Sequence, residues 1–260
     1  MGVQPQELAR RMLADFDGRT PGRAFAEPVE LSIAEAYALQ AEVARLREAR
    51  GERVIGYKIG CTSSVIQAQL GASEPIFGRV FDTGWHPAGA RLSSACFANL
   101  AVEGELAVRL AHDLEGDRLT AEQCRAAIAE VFPVIELHHF VLPRTCPPGA
   151  WLIASGGLHA GVVIPPAGEG SGVCSAGSPR ALSVRIDAAV VGSVEDAESL
   201  ARPVTSLQWL GRTLTRFGLK LCQGQLILTG SSLPLYPVGA GSRVVVEAPP
   251  LRASCVEIGS

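Results

Sequence analysis

Glu103 and Glu105 stand two residues apart in the stretch Leu100-Ala-Val-Glu-Gly-Glu-Leu-Ala-Val-Arg-Leu110. The stretch alternates. Leu100, Val102, Leu106 and Val108 fall on one face of a strand, and the two glutamates fall on the other. At about 3.3 Å per residue, the two carboxylates project roughly 7 Å apart along the strand. Like charges that close repel unless a proton, a base or a cation sits between them. A third acid, Glu136, ends the apolar run Val131-Phe132-Pro133-Val134-Ile135. Three carboxylates at the ends of buried strands suit a hard, oxygen-seeking cation such as Mg2+ or Mn2+. The same E-x-E spacing also fits a solvated strand face.

Lys58 lies inside Val54-Ile-Gly-Tyr-Lys-Ile-Gly60, an apolar run bracketed by glycines. Lysine is rarely buried without a partner. Either it snorkels to the surface, or it aims a cation into a site where negative charge develops. His138 and His139 follow Glu136 directly. Imidazole is a minority ligand for Mg2+, so they read as groups beside the carboxylates rather than as ligands.

The elements that must carry these residues come from the rest of the chain. Residues 5–17 place Leu8, Met12, Leu13 and Phe16 at helical spacing, and Thr20-Pro-Gly22 is a turn. Ser32-Ile-Ala-Glu35 is a capping-box pattern that opens a helix running to Gly51. After the strand at 54–60, Ser64-Val-Ile-Gln67 opens a short helix that Gly71 ends, and Arg79-Val-Phe81 is a strand. Thr120-Ala-Glu-Gln123 caps a helix to about Val131, stopped by Pro133. Residues 142–150 and 165–179 read as loops. Ser155-Gly-Gly-Leu-His-Ala-Gly161 is a bend that either lets backbone approach a ligand or simply turns, and an apolar strand follows. A strand over 182–191 turns at Gly192. Thr205-Ser-Leu-Gln208 caps a helix through Phe217, and strands follow at 225–230 and 243–248. Helices first, then many strands with a few inserted helices, make an α+β chain with a mixed, curved sheet rather than a doubly wound one. The expected division is a helical N-terminal lobe, residues 1–52, and a β-rich catalytic domain, residues 53–260.

Composition narrows the class. At 260 residues with 47 % hydrophobic content, the chain can bury a sizeable core. A net charge of -3 shows no basic patch for nucleic acid. No run approaches the roughly 18 apolar residues of a membrane span, and no signal peptide is evident. The seven cysteines are widely spaced without C-x-x-C, which suits free thiols in a reducing cytoplasm.

Gly56-Tyr-Lys-Ile-Gly-Cys-Thr-Ser63, the Gln67-x-Gln-Leu-Gly71 helix and Glu74-Pro-Ile-Phe-Gly78 resemble the 2-keto-4-pentenoate hydratase / 4-oxalocrotonate decarboxylase family of the fumarylacetoacetate hydrolase superfamily. The resemblance continues through Val102-Glu-Gly-Glu-Leu-Ala107, Pro133-Val-Ile-Glu136, residues 198–210 and Ile227-Leu-Thr-Gly230, and so spans nearly the whole chain. It implies a curved mixed β-roll, metal ligands at Glu103, Glu105 and Glu136, and a site lysine at Lys58. Two positions depart from the family pattern. Hydratases of the family usually carry an acidic residue where this chain has Ile76, and the usual Asp-Asn-Ala-Ser is replaced by Gly156-Gly-Leu-His159.

The implied chemistry is that of a Mg2+- or Mn2+-dependent lyase acting on a small unsaturated 2-oxo acid through a metal-bound dienolate. Hydration needs a general acid–base group, and His159 is the candidate because imidazole titrates near neutrality. Hydratase is the first expectation and decarboxylase the alternative, with Ile76 favouring the latter. A non-catalytic subunit paired with an active relative and an acylpyruvate hydrolase are the other readings. A homo-oligomer, or a complex with a related decarboxylase or hydratase, is the expected assembly.

Overall fold

Period-two alternation at residues 101–110 sets the centre of the fold. A computed structural model describes residues 4–19, 30–70, 72–142, 149–166 and 179–260. The turn at Thr20–Gly22, the helix stop at Gly71 and most of the loops at 142–150 and 165–179 lie outside them.

The chain opens with helices α1 (Pro5–Gly18) and α2 (Ile33–Ala49). Ser32 caps α2 with the reciprocal Glu35 bonds that its sequence predicts. Strand β1 (Val54–Gly60), helix α3 (Ser64–Leu70) and strand β2 (Ile76–Phe81) follow. Then come β3 (Trp85–Pro87), β4 (Ala90–Ser93) and the long β5 (Ala101–Leu110). Helix α4 (Ala121–Ala126) leads into β6 (Ile128–His138), and α5 (Ala150–Ala154) into β7 (His159–Ile164). The hairpin β8 (Leu182–Ile186) and β9 (Ala189–Val194) precedes helix α6 (Ala197–Thr215). Strands β10 (Leu226–Leu228), β11 (Tyr236–Pro237), β12 (Arg243–Glu247) and β13 (Ser254–Gly259) complete the described elements.

Two mixed sheets result. One runs β2-β1-β10-β5-β6-β7-β3 with β11 on β5, and the other runs β4-β13-β12-β8-β9. β1 with β10 and β3 with β7 are parallel, as is β4 with β13; the remaining pairs are antiparallel. Val102, Leu106, Ile135, Leu137 and Val163 on one face of the first sheet pack against Val184, Val244, Val246 and Val256 of the second. Gly104 makes this approach possible. A Cβ there would lie 2.4 Å from Val184 Cγ2 and 3.0 Å from a Val246 methyl. On the opposite face Val80, Ala107, Phe132, Val134, Val162 and Leu228 form a separate cluster. Helices α1, α2, α5 and α6 share one core with Tyr57, Ile59 and Phe77.

Four boundaries differ from the sequence expectation. The helix from Thr120 stops at Ala126, and β6 then runs straight through Pro133. Proline is tolerated because only β5 flanks that part of β6; β7 joins from Ile135 onward. Helix α6 starts at Ala197, capped by the Asp196 side chain on Ser199 N–H at 2.7 Å, so Thr205 sits mid-helix. The β8–β9 turn falls at Asp187, in the left-handed region, and Gly192 is inside β9 opposite Val184. The bend after residue 150 begins as helix α5.

Candidate metal centre and active site

Antiparallel pairing of β5 with β6 sets Glu103 directly opposite Glu136, with Glu105 opposite Val134. The alternation of each strand then turns all three carboxylates to the face away from the second sheet. β1 lies two strands away across β10, with Lys58 opposite Leu228, which is itself opposite Ala107. Lys58 therefore does not snorkel. It is 3 % exposed and reaches Glu136 Oε1 at 3.1 Å.

His159 arrives on the same oxygen from the other side. β7 begins at His159 opposite His138, and His159 Nδ1 lies 2.8 Å from Glu136 Oε1. The other oxygen, Glu136 Oε2, makes no hydrogen bond among the described residues; neither do Glu105 Oε1, His138 Nε2 and His159 Nε2. His138 Nε2 is 3.3 Å from Glu103 Oε2 and 3.7 Å from Glu136 Oε2. Ligand atoms of Glu103, Glu136 and His138 all lie within 4.8 Å of one another. Glu105 belongs to the same cluster through its contact with Glu136. Its Oε2 also accepts the backbone N–H of Gly230, which is presented where the chain leaves β10 with a φ of 92°. Thr229 holds that exit in place, donating from N at 3.1 Å and Oγ1 at 2.7 Å to Leu106 O.

The electrostatics follow from burial. Burial pushes the Glu105 carboxyl well above its ordinary range, and the Glu136 charge adds to this. Burial pushes Glu136 the same way, but Lys58, His138 and His159 outweigh it and hold Glu136 well below. For Lys58, burial favours the neutral amine; Glu136, Glu103 and Glu105 overcome it and keep the ammonium. Two carboxylates in contact share their space only with a proton or a cation between them. Buried, unpartnered carboxylate oxygens facing one another are the donor set a hard divalent cation requires. The residues present fit such an ion.

Three glycines admit this crowding. A Cβ at Gly157 would sit 2.8 Å from Lys58 Nζ, so the backbone there lies directly over the lysine stem. Gly156, Gly157 and Leu158 follow one another at φ 67°, 71° and 60°. The bend thus approaches the site as well as turning the chain. Gly78 meets it from β2, where a Cβ would be 2.3 Å from Gly156 O. Ile76 is buried, and a Cβ at Gly60 would lie 3.5 Å from Ile76 Cγ1 and 3.3 Å from Lys58 Nζ.

The structure therefore brings together Lys58, Glu103, Glu105, Glu136 and His159, all singled out in the sequence. His138, expected beside the carboxylates rather than as a ligand, lies within reach of Glu103 and Glu136. The signal for His138 was its parity, two residues beyond Glu136 on one strand face. His139 points away; its Nδ1 accepts from Ala98 N at 2.8 Å and its Nε2 lies 2.9 Å from Phe16 O.

The chain is 32% identical over 227 residues to 2-hydroxyhexa-2,4-dienoate hydratase of Comamonas testosteroni, covering 84% of each chain. It is 31% identical over 221 residues to 2-keto-4-pentenoate hydratase of Paraburkholderia xenovorans, covering 82% of this chain and 78% of that one. The chain belongs to the 2-keto-4-pentenoate hydratase / 4-oxalocrotonate decarboxylase family. No general family model matches it. Its fold is that of 4-oxalocrotonate decarboxylase from Pseudomonas putida G7, solved with magnesium and adipate, at a TM-score of 0.90 and 24% identity over 98% of this chain and 97% of that one. No helix among the described residues is long and apolar enough to cross a membrane, and Cys61, Cys96, Cys124, Cys222 and Cys255 are free thiols.

Proposed function

We propose that this chain is a divalent-metal-dependent hydratase of a small unsaturated 2-oxo acid, with Glu103, Glu105 and Glu136 as the metal ligands. The frame is a curved mixed β-roll over residues 53–260, against which the helices of residues 1–52 pack as a lobe. One observation carries the reading. Glu136 Oε1 is occupied by Lys58 and His159, while Glu136 Oε2, beside Glu103 and His138, is buried without a hydrogen bond, and so is Glu105 Oε1.

A divalent cation bound there supplies Lewis acidity toward the 2-oxo group of a substrate. The protein's own residues do the rest. Lys58 stays charged because three carboxylates surround it, so it stabilises a developing oxyanion rather than donating a proton. His159 turns Nδ1 to the Glu136 carboxylate, which makes Nδ1 the protonated nitrogen and leaves Nε2 with a free lone pair. Burial lowers this imidazole's pKa and favours the neutral form, although Glu136 opposes it. In hydration, Nε2 takes the proton of the water whose oxygen adds to the conjugated double bond, and returns it to the adjacent carbon. Ile76 closes the side beside Lys58 with hydrocarbon and offers no proton.

That apolar wall favours a second reading, decarboxylation of a 2-oxo dioate, in which the dienolate forms by loss of CO2 and needs no acidic group at position 76. Purified protein would be assayed with Mg2+ against 2-hydroxypenta-2,4-dienoate, 2-oxohex-3-enedioate and an acylpyruvate. Turnover of the first supports the hydratase. CO2 release from the second alone makes the chain a decarboxylase. Cleavage of the acylpyruvate alone, or no turnover of any, overturns both.

A further inference from the structure

A cavity lies between the N-terminal helices and β2, partly open to solvent. Met12, Leu13, Phe16 and Val43 give it apolar walls, and Arg79 and His159 face it from the sheet side. Arg79 alternates with Gly78 on β2, so it projects to the face opposite Lys58, beneath the helices.

The two arginines of this cavity differ. Arg47 has its counter-ion: it donates twice to Glu52 Oε2, at 3.0 and 2.6 Å, and its guanidinium stacks 3.7 Å from the Phe81 ring centre. Arg79 is half-buried and pairs with no carboxylate among the described residues. It donates once, at 2.8 Å, to Gln40 Oε1. Gln40 is itself locked, its Nε2 donating to Phe77 O at 2.9 Å and Ile153 O at 2.7 Å. A guanidinium has five N–H donors in a fixed fork, so most of those of Arg79 remain available and their direction is set in advance. Burial pushes Arg79 below its ordinary range, and Tyr57 and Glu48 oppose this only in part. On the same side of the cavity, His159 Nε2 is buried without a hydrogen-bond partner. A held, uncompensated guanidinium above an apolar pocket is the arrangement that recognises an organic carboxylate with a short aliphatic body.

We propose that this cavity is a carboxylate-binding subsite in which Arg79, oriented by Gln40, holds the carboxylate and the helix side chains hold the carbon chain. The carboxylate is either the distal end of a dicarboxylic substrate whose 2-oxo end lies at the glutamates, or that of a separate carboxylic acid.

Calorimetric titration of the metal-free protein with hexanoate, and with hexan-1-ol as its neutral counterpart, tests this without calling on the activity proposed above. Hexanoate should bind, and Arg79→Gln should weaken it at least about tenfold while leaving hexan-1-ol within about twofold. Arg79→Lys, which keeps the charge, should recover part of the loss, and circular dichroism melting checks that each variant folds. No hexanoate binding to the wild type, or equal binding to Arg79→Gln, overturns the proposal. The two sources then separate by kinetics with a 2-oxo acid ending in methyl and one ending in carboxylate. If the carboxylate belongs to substrate, Arg79→Gln raises KM for the second at least about tenfold more than for the first. If it belongs to a separate acid, the ratio of the two KM values is unchanged while hexanoate binding is still lost.

Discussion

Lys58 Nζ lies 3.1 Å from Glu136 Oε1, with both side chains almost wholly buried. The contact ties β1 to β6 across β10 and β5 and fixes which oxygen of Glu136 is left for a cation. A buried ion pair is weak evidence of stability, but removing one member strands the other. Lys58→Met should therefore cost about 3–5 kcal/mol in urea denaturation of the metal-free protein. The double variant Lys58→Met with Glu136→Gln should recover part of that loss, because the carboxylate in direct contact with Lys58 is then no longer charged. A double variant no more stable than the single one would show that the lost stability lies in packing around the lysine stem.

Glu52 gives a prediction away from the site. Burial raises its carboxyl, but hydrogen bonds from Arg47, Thr83 and Arg50, with the charge of Arg47, bring it down to about 2. A depressed carboxyl stabilises the fold above its unfolded value near 4.5 and loses that contribution as pH falls toward 2. With solvent screening of a partly exposed pair, Glu52→Gln should cost about 1–2 kcal/mol at pH 7, and the gap between wild type and variant should shrink by about half at pH 3. Denaturation at both pH values measures it, and a gap independent of pH would contradict the assignment.

His159 shares Glu136 Oε1 with Lys58, yet its Nε2 is unengaged. General acid–base groups contribute typically about 100- to 10,000-fold. His159→Ala should lower kcat by at least about tenfold, while Mg2+ affinity falls less than it does in Glu103→Gln, because His159 orients Glu136 without ligating the ion. Steady-state kinetics and calorimetry on one preparation give both numbers. Wild-type kcat in the variant would leave the proton transfer to another group.

Much of this site was legible in the sequence because it rests on local periodicity. Alternation alone turned Glu103 and Glu105 to one face, and the glycines around Lys58 marked a lysine inside a buried strand. Pairing was not legible. Nothing local says that Glu136 sits opposite Glu103 or that Gly230 donates to Glu105, since those contacts join residues more than thirty positions apart. Pro133 and Thr205 misled for the opposite reason. Each carries a strong local signal that tertiary packing overrides: a free stretch of strand edge admits Pro133, and an earlier cap at Asp196 carries α6 past Thr205. His138 was expected beside the carboxylates together with His139, and strand parity separates the two. Arg79 drew no notice because its meaning depends on Gln40, nearly forty residues earlier.

The central claim is that the facing glutamates hold one divalent cation. Calorimetric titration of Mn2+ into the wild type and into Glu103→Gln tests it most directly. Glu103 is the most exposed of the three acids, with a side chain 24% accessible, so its amide should leave the fold intact. The account predicts one ion per chain in the wild type and at least about a tenfold loss of affinity in the variant. No binding to the wild type, or equal affinity in Glu103→Gln, would contradict it.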